Sequence, residues 1–378
     1  MQNKFSITFS SETHLLDIKP NSDKLLIIFS ATGTTSGKFN LYGLKSHIPH
    51  NLLYLRVPTN DWYQQGVPGL ADSHEGTISA IKLIASTYGI SEIFTCGSSM
   101  GAYAALLYGL DLECNVLALS PEIQLKLPLS RSTKMMPKNT PVVYNDVIVR
   151  MRSSNSTFYI LTGERDPVDL YSADLVKDYV NTNIITFPKD EHTVLKTLVS
   201  NKQFLPLLWS FMDRSTLPIL EDTGEALGKE GFASNFYHGW VAYQSKNNEA
   251  AKPLLEKALD IYPISSYCQY VMANLLYRFK EYQAGKNHML FAMALRPDLS
   301  EHHVGFAHYL RRIGLLEEAV KLHQDIQKRW SESYQSKYDL AMIYLELGNK
   351  SLAKAQLLEA VRLQPKRQSY IKALASLE

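Results

Sequence analysis

Residues 93–109 read IFTCGSSMGAYAALLYG, and this stretch decides the fold of the first half of the chain. Ile93, Phe94, Thr95 and Cys96 form a short run rich in β-branched and aromatic residues, which suits a buried strand. Gly97-Ser98-Ser99-Met100-Gly101 follows, and then a run of alanine, leucine and tyrosine that suits a helix. A strand that becomes a helix within five residues must turn very sharply. Glycines two before and two after Ser99 permit that turn, because no side chain branches from their Cα atoms. The turn leaves the Ser99 hydroxyl at the C-terminal edge of a sheet, beside the amino end of the next helix.

The same alternation continues outward. Residues 25–29 (LLIIF), 52–57 (LLYLRV), 116–119 (VLAL) and 158–161 (FYIL) are further short apolar runs, and 5–9 suits an additional edge strand. Helical stretches lie between them, notably 73–88 and 101–108. Strands and helices in alternation predict an α/β fold, with a mostly parallel sheet covered on both faces.

The second half has no such runs and a clear period. Gly239, Ala273, Ala307 and Ala341 are each 34 residues apart, as are Ala258, Ala292, Ile326 and Ala360, and Ala251, Gly285, Ala319 and Ala353. Pro263 and Pro297 are also 34 apart; Ser331 fills the next slot and Pro365 the one after. Small residues recur where stacked helices cross closely, and proline marks the turn into the next unit. These positions resemble the tetratricopeptide repeat (TPR), which implies an all-α solenoid over 232–378: four repeats of 34 and a short capping helix. The inner-turn glycine is present only as Gly314 and Gly348, with Lys246 and Lys280 in the earlier repeats. The expected organisation is an α/β domain at 1–215, a connector at 216–231, and the repeats at 232–378.

Composition bounds the function. Of 378 residues, 45% are hydrophobic and 20% charged, an ordinary balance for a soluble globular protein. The three cysteines, Cys96, Cys114 and Cys268, form no CxxC and indicate neither a disulfide framework nor a zinc site. The N-terminus lacks an apolar signal segment, and no run is long enough to span a membrane, so a cytoplasmic location is expected. Residues 1–231 carry 20 basic and 23 acidic side chains, a net −3; residues 232–378 carry 19 and 14, a net +5. That balance is far from nucleic-acid binding and allows an anionic partner on the repeats.

The strand–G-x-S-x-G–helix context resembles the nucleophile elbow of the α/β-hydrolase superfamily, over about residues 20–213. The resemblance implies an acid and then a histidine later in the chain. After residues 158–161 comes Thr162-Gly163-Glu164-Arg165-Asp166-Pro167-Val168, similar to the family's G-x-x-D-x-x-V loop. Asp166 is the expected acid, with Glu164 and Asp169 as competitors. A strand at 184–187 is followed by His192, the one histidine between Asp166 and the connector. Ser99, Asp166 and His192 then form the expected catalytic triad, in which the imidazole takes the serine proton and the carboxylate fixes its tautomer. The oxyanion hole would use the Met100 amide and one from the loop 30–37. The resemblance makes Thr32 the candidate there, with Ser30-Ala31 standing where the family has His-Gly.

Three functions compete. The first is a serine hydrolase acting on an ester or thioester. The second is an acyltransferase that takes an acyl group from a donor such as acetyl-CoA. Asp61-Trp62-Tyr63 with Gly66, and residues 100–106, look like the bacterial branch that includes capsule and surface-glycan O-acetyltransferases. The third is an interaction protein in which the repeats bind a protein or anionic polymer and the hydrolase half is inactive. No P-loop, HExxH or dinucleotide motif is present, so no bound cofactor or metal is expected.

Overall fold

In the computed structural model, which describes residues 7–377, the apolar runs become strands of one eight-stranded sheet. In chain order these are β1 (Ile7–Ser10), β2 (His14–Ile18), β3 (Lys24–Phe29), β4 (Asn51–Leu55), β5 (Glu92–Ser98), β6 (Asn115–Leu119), β7 (Phe158–Gly163) and β8 (Thr182–Phe187). They lie in the order β1-β2-β4-β3-β5-β6-β7-β8. The pairs from β4 to β8 are parallel, whereas β1–β2 and β2–β4 are antiparallel. The edge strand expected at 5–9 begins at Ile7; Phe5 and Ser6 lie outside the described residues. Strand β2 was not expected. Its apolar run HLLDI is interrupted by Asp17, whose buried carboxylate pairs with Lys19 and Lys45 at 2.7 and 3.2 Å.

Both faces of the sheet are covered. On β3, Leu25, Ile27 and Phe29 join a core under α1 (His74–Thr87) and α2 (Met100–Asp111). Between β6 and β7 the chain forms two short helices, α3 (Arg131–Met135) and α4 (Val147–Ser153), and α5 (Pro167–Asp174) follows β7. Leu26 and Ile28 join the opposite core, under α6 (Val194–Ser200) and α7 (Phe204–Met212). Consecutive residues of a strand feeding opposite cores is the physical meaning of an uninterrupted apolar run.

The chain divides into two compact units between Tyr237 and His238. The stretch read as a connector is packed within the first unit. Leu220 and Ala226 are buried, Gly224 donates its amide to Thr186 O at 2.7 Å, and the Ala226 amide donates to Glu164 Oε1 at 3.0 Å.

Beyond it the helices keep strict time: α8 (Phe232–Gln244), α9 (Asn248–Ile261), α10 (Ser266–Arg278), α11 (Tyr282–Leu295), α12 (Ser300–Arg312), α13 (Leu316–Arg329), α14 (Tyr334–Glu346), α15 (Lys350–Leu363) and α16 (Gln368–Ala375). The even-numbered helices of this set start every 34 residues. All four inner turns adopt the left-handed conformation, with φ of 62° at Lys246, 63° at Lys280, 83° at Gly314 and 77° at Gly348. Two lysines therefore carry a strain that glycine would avoid. The small-residue slots are steric, as expected: a Cβ on Gly285 would lie 2.0 Å from the Tyr309 hydroxyl. One pair of positions links successive repeats by charge. Arg278 lies 3.9 Å from the Tyr243 ring and Arg312 3.6 Å from the Tyr277 ring; one repeat later the same two positions hold the Arg311–Glu346 ion pair, with the cation on the other member. Among the described residues no helix is long and apolar enough to cross a membrane.

Candidate active site

Ser99 sits between β5 and α2 with φ 58° and ψ −122°, a conformation that L residues rarely hold. The flanking glycines explain how. A Cβ on Gly97 would lie 2.0 Å from the Gly101 carbonyl oxygen, and one on Gly101 would lie 2.1 Å from Phe29 O. The turn closes so tightly that strand, helix and neighbouring strand touch through backbone alone. The Ser99 amide donates to Leu119 O on β6 at 3.0 Å, and Met100 opens α2. At a helix start the first amides have no acceptor within the helix, so they are available to a developing negative charge.

The loop that follows β3 starts beside Gly101 and is held from below. Tyr63, buried with φ 57°, places its hydroxyl 2.9 Å from Ser30 O and 3.0 Å from Leu55 O. Asp61 accepts the Tyr63 amide at 2.9 Å, and Arg56 Nε donates to Thr34 O at 2.7 Å. The Asp61-Trp62-Tyr63 segment is thus a pin under the loop bearing Thr32, which is itself half-buried.

His192 lies on the loop after β8. That loop crosses the end of β7 at Gly163, where a Cβ would lie 2.1 Å from Glu191 O and 2.3 Å from Asp190 O. The Arg165 amide donates to Asp190 O at 3.0 Å, and Arg165 pairs with Glu191 at 3.2 Å. So held, the His192 imidazole places Nε2 2.7 Å from Ser99 Oγ and Nδ1 2.6 Å from Asp169 Oδ2.

The carboxylate beside His192 is therefore Asp169, not the expected Asp166. Asp166 is the N-cap of α5: its Oδ1 accepts the amides of Val168 and Asp169 at 3.0 and 3.1 Å. Its Oδ2 accepts from Arg131 Nη2 at 2.6 Å. Three residues on, within the first turn, the Asp169 side chain is free of capping duty and turns to the imidazole. The sequence held the signal, since an Asp directly before a Pro is a helix start. Glu164 is engaged elsewhere, accepting from Thr186 Oγ1 at 2.7 Å and from the Ala226 amide.

Arg131, the first residue of α3, escaped the sequence reading altogether. Its Nη1 lies 3.3 Å from Asp169 Oδ1, so one guanidinium spans both acids. Asp169 is fully buried; burial and then the charge of Asp166 push its carboxyl up to about 6, against the pull of His192 and Arg131. Burial acts on Asp166 too, but there Arg131 and His192 outweigh it and hold the carboxyl below its ordinary value. Asp166, Asp169 and His192 bring three potential metal donors within 4.8 Å of one another. They do not fit a metal, because the Arg131 guanidinium already occupies one oxygen of each carboxylate and would repel a second cation.

With Nδ1–H donated to an ionised Asp169, Nε2 is left to accept the Ser99 hydroxyl proton. This is the arrangement that turns a serine into a nucleophile.

A separate cavity of about 710 Å³ lies in the second unit. Tyr270, Trp330 and Tyr334 give it aromatic walls. Glu301, Glu332 and Asp339 supply carboxylates, against Arg329 and His308.

A family model of the tetratricopeptide repeat matches residues 334–367. Solved structures that resemble part of the chain include YrrB, described as a TPR protein with an unusual peptide-binding site: 17% identity, 47% of this chain and 86% of that one, TM-score 0.34. Pseudomonas aeruginosa pilF is 21% identical over 39% of this chain and 68% of its own, with a TM-score of 0.35. A thermophilic TPR protein of Thermus thermophilus is 20% identical over 39% of this chain and 80% of its own, with a TM-score of 0.33. No curated protein matches the chain. Residues 334–367 are a tetratricopeptide repeat, and the helical pairs before them share its 34-residue register.

The geometry predicts how the two acids differ. Labelling of Ser99 by a fluorophosphonate should slow by about 10³–10⁴-fold in Asp169→Asn, because the imidazole loses its orienting acceptor. In Asp166→Asn it should stay within about tenfold, since Asn caps a helix as well as Asp. The reverse ranking would return the role to Asp166.

Proposed function

We propose that the first unit is an α/β-hydrolase-type enzyme that works through an acyl-Ser99 intermediate, with His192 as base and Asp169 as its partner. The observation that carries this reading is the unbroken path from Asp169 Oδ2 through the imidazole to Ser99 Oγ, in links of 2.6 and 2.7 Å. A strained serine on a strand–helix turn, with acid and histidine following in that chain order, supports the same reading.

In the first half-reaction, Ser99 Oγ bonds to the acyl carbon while its proton passes to His192 Nε2. The leaving alcohol or thiol departs with that proton. The oxyanion would be met by the Met100 amide and by one from the loop at Thr32. In the second half-reaction His192 activates the incoming group. Water gives an esterase or thioesterase. A sugar hydroxyl gives an O-acyltransferase of the kind that acetylates capsule or surface polysaccharide, with acetyl-CoA as donor. We rank hydrolysis first, because both outcomes share the triad and nothing in the site requires a second substrate.

Intact-mass analysis with an activated ester should show one acyl adduct in the wild type and none in Ser99→Ala. With labelled acetyl-CoA, release of acetate at a rate that ignores any added glycan supports hydrolysis; label moving onto the sugar supports transfer. An adduct that persists in Ser99→Ala overturns the reading.

A second reading concerns the repeats, and the comparisons support it more directly than they support the chemistry. The tetratricopeptide array binds a protein partner, and in its extreme form this is the protein's whole function, with Ser99 inert. The cavity favours a cationic segment of that partner over the anionic polymer suggested by the unit's net charge. Its walls present three carboxylates to one guanidinium and one imidazole, whereas two of its rings are already covered, Trp330 by Arg329 and Tyr334 by Arg367. In calorimetry with the full chain, a Lys-rich peptide should bind and should weaken several-fold in Glu332→Gln, which removes one of the lining carboxylates. Binding of a Glu-rich peptide or an anionic oligosaccharide at the same place would contradict it.

A further inference from the structure

We infer that Arg131 is a positioning residue that keeps Asp169 ionised beside Asp166, and that the β6–β7 segment around α3 serves as the strut that holds it there. The inference rests on the acyl-serine reading above and deepens it.

Two carboxylates three residues apart share one helical turn, with side-chain exposures of 12% for Asp166 and 0% for Asp169. Like charges so placed, with little water between, cannot both stay ionised without a counter-charge; one takes up a proton instead. A protonated Asp169 could no longer balance the imidazolium, and its O–H could donate to Nδ1 and leave His192 in the wrong tautomer. The groups facing the pair are few. Arg131 approaches from α3 and His192 from the loop after β8, while Glu122 acts on Arg131 from behind. Two carboxylates and one guanidinium carry one net negative charge in the resting state. When the imidazole takes the serine proton, the four groups become neutral together.

The guanidinium is aimed by a folded brace. Glu122, buried just beyond β6, accepts the Ser132 amide at 2.9 Å with one oxygen and the Ser132 hydroxyl with the other. The Ser132 hydroxyl also receives the Lys126 amide at 2.6 Å, and Thr133 Oγ1 donates to Leu127 O at 2.7 Å. Arg131 is the residue before Ser132, so this brace fixes the base of its side chain. Its planar fork then reaches both acids, which a lysine's single ammonium cannot match.

The test is the pH profile of Ser99 labelling by a fluorophosphonate in the full chain. In Arg131→Gln the acid limb should move up by about one to three pH units, the range expected from losing a neighbouring opposite charge. Above the new midpoint the rate should recover towards wild type. Arg131→Lys should return part of the shift. Arg131→Gln with Asp166→Asn should return the limb towards its wild-type position, because the competing carboxylate is gone. A rate that falls equally at every pH in Arg131→Gln, with no compensation in the double variant, would make Arg131 a packing residue and overturn the inference. Failure of the parent reading looks different: the wild type itself would not label, or Ser99→Ala would label equally.

Discussion

Where β3, β5 and α2 meet there is no room for a methyl group. Gly97 touches the carbonyl of Gly101, and Gly101 touches that of Phe29, at distances a Cβ could not share. This contact fixes the angle at which helix leaves strand and forces Ser99 into its positive-φ backbone, at a cost of about 1–3 kcal/mol. The surrounding sheet holds it there, with β5 paired on both sides and the Ser99 amide tied to Leu119 O. The rest of the site is placed relative to this turn. The start of α2, the loop after Phe29 and the hydroxyl that His192 must reach all take their positions from it.

A second close approach does similar work at β7. Gly163 lets residues 190 and 191 cross its Cα, which brings the histidine loop down beside the first turn of α5. From there the problem becomes electrostatic. Burying a carboxylate next to the imidazole puts it within reach of the carboxylate that caps the same helix. The structure answers with a guanidinium shared between them, supplied by a segment 35 residues before Asp166 in the chain.

Much of this was legible in the sequence, for identifiable reasons. Ser99 and His192 announce themselves because a sharp strand–helix turn and a lone histidine in the right place are local signals. Asp166 misled because its loop pattern fits an acid, whereas the Asp-Pro pair that makes it a helix cap was the stronger physical cue. Arg131 was not legible, since its role depends on a meeting of distant segments that no spacing encodes. Strand β2 was hidden by Asp17, a charge made tolerable inside by two lysines. The repeats were the easiest part, because close helix crossings demand small residues at one period. Even Lys246 and Lys280, which break the glycine pattern, keep the left-handed turn the period requires.

If His192 serves Ser99 as base, a proton is held between His192 Nδ1 and the carboxylate of Asp169, 2.6 Å apart. Proton NMR of the full chain measures it directly, since a hydrogen shared in so short a buried bond resonates far downfield of ordinary amides. Such a signal is expected in the wild type, lost in Asp169→Asn and retained in Asp166→Asn. A signal that survives Asp169→Asn and vanishes in Asp166→Asn would assign the shared proton to Asp166 instead.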